Sequence, residues 1–140
     1  MSRFSTQARK IVEERQKLVS FDFDSTLFMQ KVHPETEYPL VSYVNPEVKP
    51  YIEKHKSNND KIIVVTSRMD TPNNRDIIAG FGREFDIPIE EIHFTNKELK
   101  YKTLKALKVD IHYDDDKWEL ALLDNRIKGT QNIKGVRIYV

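Results

Sequence analysis

Short apolar runs rich in β-branched and aromatic residues recur along this chain, at positions 18–23, 61–66, 92–95, 109–113 and 136–140, and amphipathic stretches separate them. Runs of that length fit strands buried on both faces, and strands that alternate with helices fit a parallel sheet. The expected architecture is therefore α/β: a doubly wound, Rossmann-like parallel sheet of about five strands, in a single domain over residues 1–140.

The intervening stretches carry helix signals. Asp70-Thr71-Pro72 offers a capping side chain followed by proline at a first turn, and Ile77, Phe81 and Phe85 then recur at i, i+4, which predicts a helix over about 72–85. Asn45-Pro46 is a second such start, although Pro50 can delay the first turn to that residue. Residues 98–107 and 116–123 read as two more helices. Phe4, Ala8, Ile11 and Val12 suggest an additional N-terminal helix over 1–17. Only the segment 26–44, interrupted by Pro34 and Pro39, lacks a clear period, and a loop that long in a small domain reads as a functional flap.

Composition removes several classes. A chain that is 39% hydrophobic and 32% charged is of the soluble globular kind, and no apolar run is long enough to span a bilayer. Without cysteine there is neither a disulfide nor a thiolate metal site, and the basic start of the chain lacks the apolar core of a secretory signal, so a cytoplasmic location is expected. A net charge of +1 gives no global case for nucleic acid. No obligate protein partner is evident.

The chemistry concentrates where strands end. In Phe21-Asp22-Phe23-Asp24-Ser25-Thr26 an apolar strand runs into two carboxylates two residues apart, and an unbroken strand would put both on one face. Neighbouring anions repel, and burying them calls for a hard cation with oxygen ligands. Later strands end in Thr66-Ser67-Arg68 and in Asp114-Asp115-Asp116, and a parallel sheet gathers such ends on one rim. Taken singly, Thr66 reads as a cap, Arg68 as a surface ion pair and the aspartates as the acidic start of a helix. His33, His55, His93 and His112 show no metal-ligand spacing and receive no catalytic role.

In that order the motifs resemble the haloacid dehalogenase-like hydrolase superfamily over about residues 18–125. Residues 21–26 look like its first motif, Thr66 its second, a lysine near position 102 its third, and Asp114-Asp115 its fourth; Ser25 stands where the family most often has glycine. The resemblance implies a phosphatase in which Asp22 forms an aspartyl-phosphate and Asp24 protonates the leaving oxygen and then activates water. It also implies Mg²⁺ on the Asp22 carboxylate, the Asp24 backbone carbonyl and a carboxylate from Asp114 or Asp115, with Asp115 preferred. Thr66 would hold a phosphate oxygen, and a lysine would face it. A helix points Lys100 and Lys102 about 200° apart, so only one can serve, and Lys102 is the expected one.

The interval between Asp24 and Thr66 leaves no room for a large cap domain, so a short flap stands in its place and the site should be open. Within the superfamily the arrangement resembles the phosphatase domain of polynucleotide kinase-phosphatases, where the arginine of Val65-Thr66-Ser67-Arg68 contributes to catalysis, and the 5′-nucleotidases. Five lysines against one glutamate between Lys97 and Lys108 would attract a phosphate backbone, or simply form a solvated helix face. The implied substrate is a phosphate on a nucleotide or nucleic-acid end. The alternatives are a 5′-nucleotidase or small-metabolite phosphatase, a phosphoacceptor receiver domain and a non-catalytic phosphate-binding module. A receiver is disfavoured because its acidic residues lie on separate strands.

Overall fold

The computed structural model describes residues 16–32, 35, 40–123 and 133–140. Its elements in chain order are β1 (Leu18–Phe21), β2 (Phe28–Val32), β3 (Leu40–Val44), α1 (Lys49–Ser57), β4 (Lys61–Thr66), α2 (Pro72–Glu84), β5 (Ile89–Phe94), α3 (Tyr101–Leu107), β6 (Ile111–Asp114), α4 (Lys117–Ala121) and β7 (Lys134–Arg137). Five of the strands form a sheet of order β5-β4-β1-β6-β7, with every neighbouring pair parallel. The direction of winding reverses at β1, so the ends of β1 and β6 flank the crevice in which doubly wound sheets hold ligands.

Alternation along the central strands sends side chains into two cores. Val19, Phe21, Ile62 and Val64 pack toward Ile52 of α1 and toward Ile78 and Phe81 of α2. Ile63 and Val65 pack on the opposite face with Leu104 of α3 and Leu123. With both faces covered, the central strands read as continuous apolar runs. Gly82 lets α2 approach the sheet closely, since a Cβ there would lie 2.9 Å from Ile89 Cδ1 and 3.0 Å from Ile87 O.

α2 starts at Pro72 as expected, and Thr71 supplies its cap by accepting from the Asn74 amide at 3.1 Å; Asp70 pairs with Arg75. Other boundaries differ from the expected ones for local reasons. α3 starts at Tyr101 because residues 95–98 form a turn with left-handed Asn96 and Lys97, closed by Thr95 Oγ1 donating to Glu98 O at 2.6 Å. β5 begins earlier than expected, directly after Pro88.

The segment 26–44 is not a patternless loop. It carries the antiparallel pair β2-β3, in register from Phe28 opposite Val44 to Val32 opposite Leu40. Phe28 fixes the ribbon to the body by stacking on Phe23, with centroids 4.8 Å apart, and by meeting Phe81 edge-on at 5.4 Å. Of the helix expected over 1–17, only Gln16 and Lys17 are described, and neither is helical. Among the described residues no helix is long and apolar enough to cross a membrane.

Candidate active site

Asp22 follows the last residue of β1 and still belongs to the ladder, because its amide donates to Tyr113 O at 2.9 Å. Its side chain is thereby carried inward, between the β1 and β6 ends. One carboxylate oxygen from each of Asp22, Asp114 and Asp115 lies within 4.8 Å of the others. Asp22 is only 6% exposed and Asp114 fully buried. Thr26 Oγ1 sits 3.2 Å from both Asp22 Oδ2 and Asp115 Oδ1 and accepts from the Asp115 amide at 3.0 Å. Its one proton serves a single carboxylate at a time.

A buried ammonium partly balances these charges. Lys100 Nζ lies 3.4 Å from Asp22 Oδ1, 3.2 Å from Asp114 Oδ2 and 3.1 Å from Glu119 Oε2. Burial works to lower the Lys100 pKa, but Asp22, Asp114 and Glu119 outweigh it and hold the group above its ordinary value. Asp22 is raised too, but chiefly by burial: burial and then the Asp114 charge lift it well above the usual carboxylate range, against the opposing pull of Lys100. Asp114 is also raised by burial, yet the hydrogen bond and charge of His112, followed by Lys100, bring it below its ordinary value. His112 Nε2 lies 2.9 Å from Asp114 Oδ2, and its Nδ1 lies 2.7 Å from Ser20 Oγ.

Asp24 stands apart from this cluster. β1 ends at Phe21, and the chain then winds tightly, with the Leu27 and Phe28 amides both donating to Phe23 O. The period of two therefore does not carry through to Asp24, whose side chain is 48% exposed. Arg68 grips its carboxylate as a fork, Nε to Oδ2 at 2.9 Å and Nη2 to Oδ1 at 2.7 Å. The guanidinium also donates to Asn74 Oδ1 at 3.1 Å and lies 5.1 Å from the Phe23 ring centroid. That bond to Asp24 raises the Arg68 pKa above its ordinary value. Thr66, fully buried at the end of β4, accepts from the Arg68 amide at 3.2 Å.

The structure thus brings Asp22, Asp114 and Asp115 into one cluster and Asp24, Thr66 and Arg68 into its neighbourhood. Lys102 is not among them. It is exposed on α3, lining a separate depression of about 320 Å³ with Lys97 and Tyr101. The lysine at the carboxylates is Lys100. Its position was legible in principle, since Lys100 precedes the buried Leu104 by four residues and so shares the apolar stripe of α3, whereas Lys102 does not. Sequence reasoning also missed Glu119 and His112. A glutamate two residues into a helix and a lone histidine in a strand give no local sign of burial.

No protein-family model matches the chain, and no curated protein matches it. Several solved structures are similar in shape, among them the following two. One is the cobalt-bound form of a deoxy-D-mannose-octulosonate 8-phosphate phosphatase from Haemophilus influenzae, 18% identical, with 79% of this chain and 64% of that one covered and a TM-score of 0.42. The other is a Vibrio cholerae protein named as a 3-deoxy-D-manno-octulosonate 8-phosphate phosphatase, 11% identical, with 82% and 65% covered and a TM-score of 0.43. The chain spans slightly under two thirds of each. Likeness at this level is no argument for shared chemistry; the α/β architecture rests on the sheet itself.

The donor set suits a hard divalent cation. Lys100 alone neutralises little of the charge on Asp22, Asp114, Asp115 and Glu119, and the three clustered groups are all carboxylate oxygens.

Proposed function

We propose that this chain is a Mg²⁺-dependent phosphohydrolase that works through an aspartyl-phosphate on Asp22. The observation that carries the reading is the unequal treatment of two aspartates two residues apart. Asp22 is buried among carboxylates with Lys100 alongside, and Asp24 faces outward in the fork of Arg68. In this reading Asp22 attacks phosphorus and Asp24 handles protons at the leaving oxygen.

Asp22, Asp114 and Asp115 would hold the Mg²⁺, which when bound shields an anionic nucleophile from an anionic phosphate. Thr66 hydroxyl and its neighbouring amides would bind a phosphate oxygen. An Asp22 oxygen forms the bond to phosphorus as the ester P–O bond breaks, and Asp24 gives its proton to the departing alkoxide. Asp24 then takes a proton from water, whose oxygen displaces Asp22 and releases inorganic phosphate. In the resting geometry both Asp24 carboxylate oxygens accept from the Arg68 fork. A substrate phosphate that draws Arg68 to itself leaves Asp24 free to acquire the proton it donates.

The substrate reading is a phosphate on a nucleotide or nucleic-acid end. It is supported by the planar fork of Arg68, which suits phosphate oxygens, and by exposed Lys97, Lys102, Lys105 and Lys108 on the α3 side.

The test is hydrolysis of para-nitrophenyl phosphate with and without Mg²⁺. Wild-type protein should turn over only with the metal, and Asp22→Asn should lose roughly a thousandfold or more in kcat, since its amide is a poor nucleophile and ligand. Near-wild-type turnover by Asp22→Asn, or full activity in excess chelator, would overturn the proposal.

A further inference from the structure

We propose that the leaving alcohol of the substrate lies in the groove between the β2-β3 ribbon and α2, and that the carboxylate rim of this groove selects an uncharged, hydroxyl-bearing alcohol, of the size of one sugar or nucleoside, over a polyanionic strand. The inference rests on the phosphohydrolase reading above and revises its substrate: a single nucleoside or sugar is set ahead of a nucleic-acid end.

Arg68 links the two places. The guanidinium that grips Asp24 also forms the inner wall of a groove of about 550 Å³. Asp24 has to reach the leaving oxygen to protonate it, so the alcohol emerges beside Arg68, and the groove is the concavity on that side. Its volume lies in the ordinary range for a small-molecule site, roughly 300–1,000 Å³.

The two walls have distinct chemistry. On the ribbon, Gln30 and Ser42 form a cross-strand pair and present an amide and a hydroxyl, groups that exchange hydrogen bonds with alcohols. On α2, Asp76, Gly80 and Glu84 follow one another at i, i+4 and i+8 and make one stripe facing the ribbon. Among the described residues neither Asp76 nor Glu84 has an ion-pair partner, while the Arg68 charge is already matched by Asp24. The Arg83 guanidinium, 3.8 Å from a Cβ built on Gly80, offsets one of these two carboxylates, so the groove is hydrogen-bonding and keeps one net negative charge. It accepts hydroxyls and repels a second phosphate. The exposed lysines stand on the α3 side and line a different depression, so they do not cancel this field.

Gly80 supplies the means of a steric test. A Cβ added there meets only the Arg83 guanidinium, at 3.8 Å, so a larger side chain fits the helix and fills the groove. Leucine is also a better helix former than glycine, which protects the fold.

The experiment measures kcat/KM with Mg²⁺ for a nucleoside 3′-monophosphate, a sugar 6-phosphate, an oligonucleotide 3′-phosphate, acetyl phosphate and para-nitrophenyl phosphate. It compares wild type, the Asp76→Asn/Glu84→Gln double variant and Gly80→Leu. In low salt the wild type should favour the sugar phosphate or nucleoside monophosphate over the oligonucleotide by about tenfold or more, and that ratio should shrink about threefold in the double variant and in high salt. In Gly80→Leu the ratio of sugar phosphate to acetyl phosphate should fall about fivefold, since acetate needs little of the groove. A wild type that prefers the oligonucleotide, or ratios that move in neither variant, would overturn the groove assignment while para-nitrophenyl phosphate turnover upholds the phosphohydrolase. Absence of metal-dependent turnover on every substrate would overturn both.

Discussion

Ser25 has a φ of 64°, inside the left-handed region where a side chain costs about 1–2 kcal/mol and glycine does not. It directly follows Asp24 in the tight turn that the Leu27 and Phe28 amides close on Phe23 O, so the strain is local to the segment in which Asp24 faces outward. Ser25→Gly should stabilise the protein by up to about 1 kcal/mol, read as a rise of roughly 3 °C in Tm; an unchanged or lower Tm would show that the serine side chain compensates the strain. The same turn explains which site residues were legible. Asp22, Asp24, Thr66 and Arg68 stand beside recognisable strand runs, and their gathering at one rim follows from position. Glu119 and His112 became identifiable only through their partners Lys100 and Asp114, because a buried polar group is defined by what surrounds it and not by its neighbours in sequence.

At the scale of elements, Glu119 ties α4 to α3. Its carboxylate oxygens each lie 3.3 Å from the Lys100 amide at the N-terminus of α3, and Oε2 also meets the Lys100 ammonium. One side chain thus caps a helix and holds the lysine that faces Asp22. Glu119→Ala should cost about 3 kcal/mol, through a lost cap and a broken buried ion pair. Its Mg²⁺-dependent turnover should fall further than its folded fraction does, measured by urea denaturation beside steady-state kinetics; a stability loss with unaltered kcat would confine Glu119 to the fold. The ribbon was the element the sequence concealed. Its strands are largely exposed, β2 being followed by Pro34 and β3 preceded by Pro39, so neither a period of two nor an apolar run marks them. β1, β4 and β6 were legible because burial on both faces leaves few polar residues to blur the run, whereas the more exposed edge strands β5 and β7 were read with shifted bounds.

At the scale of the molecule a chain of hydrogen bonds runs from the buried Tyr113 hydroxyl out to the surface ahead of β1. His55 of α1 links Asp60, at 2.8 Å, to the Tyr113 hydroxyl of β6, at 2.7 Å, and Asp60 in turn accepts from the Lys17 amide ahead of β1. Burial, aided by the nearby Tyr51 and Asp60, pushes the Tyr113 pKa up to about 12. Between pH 10 and 12 the unfolded chain loses that proton while the folded one keeps it, so stability falls as pH rises through this window. Tyr113→Phe should be less stable at pH 9 by about 1–3 kcal/mol, having stranded His55 Nε2, yet should show a shallower decline from pH 9 to pH 11 in urea midpoints. Equal slopes for the two proteins would remove Tyr113 as the source. The order β5-β4-β1-β6-β7 also sets a timetable for a chain leaving the ribosome. β1, the central strand, is synthesised well before either of its neighbours: it waits first for β4 and then, through α2, β5 and α3, for β6. Until β6 emerges, the sheet has one open side running along β1, and the half-built active-site rim lies on that side. Nascent chains are therefore most exposed to wrong pairing after β5 has been made and before residue 114 has cleared the exit tunnel.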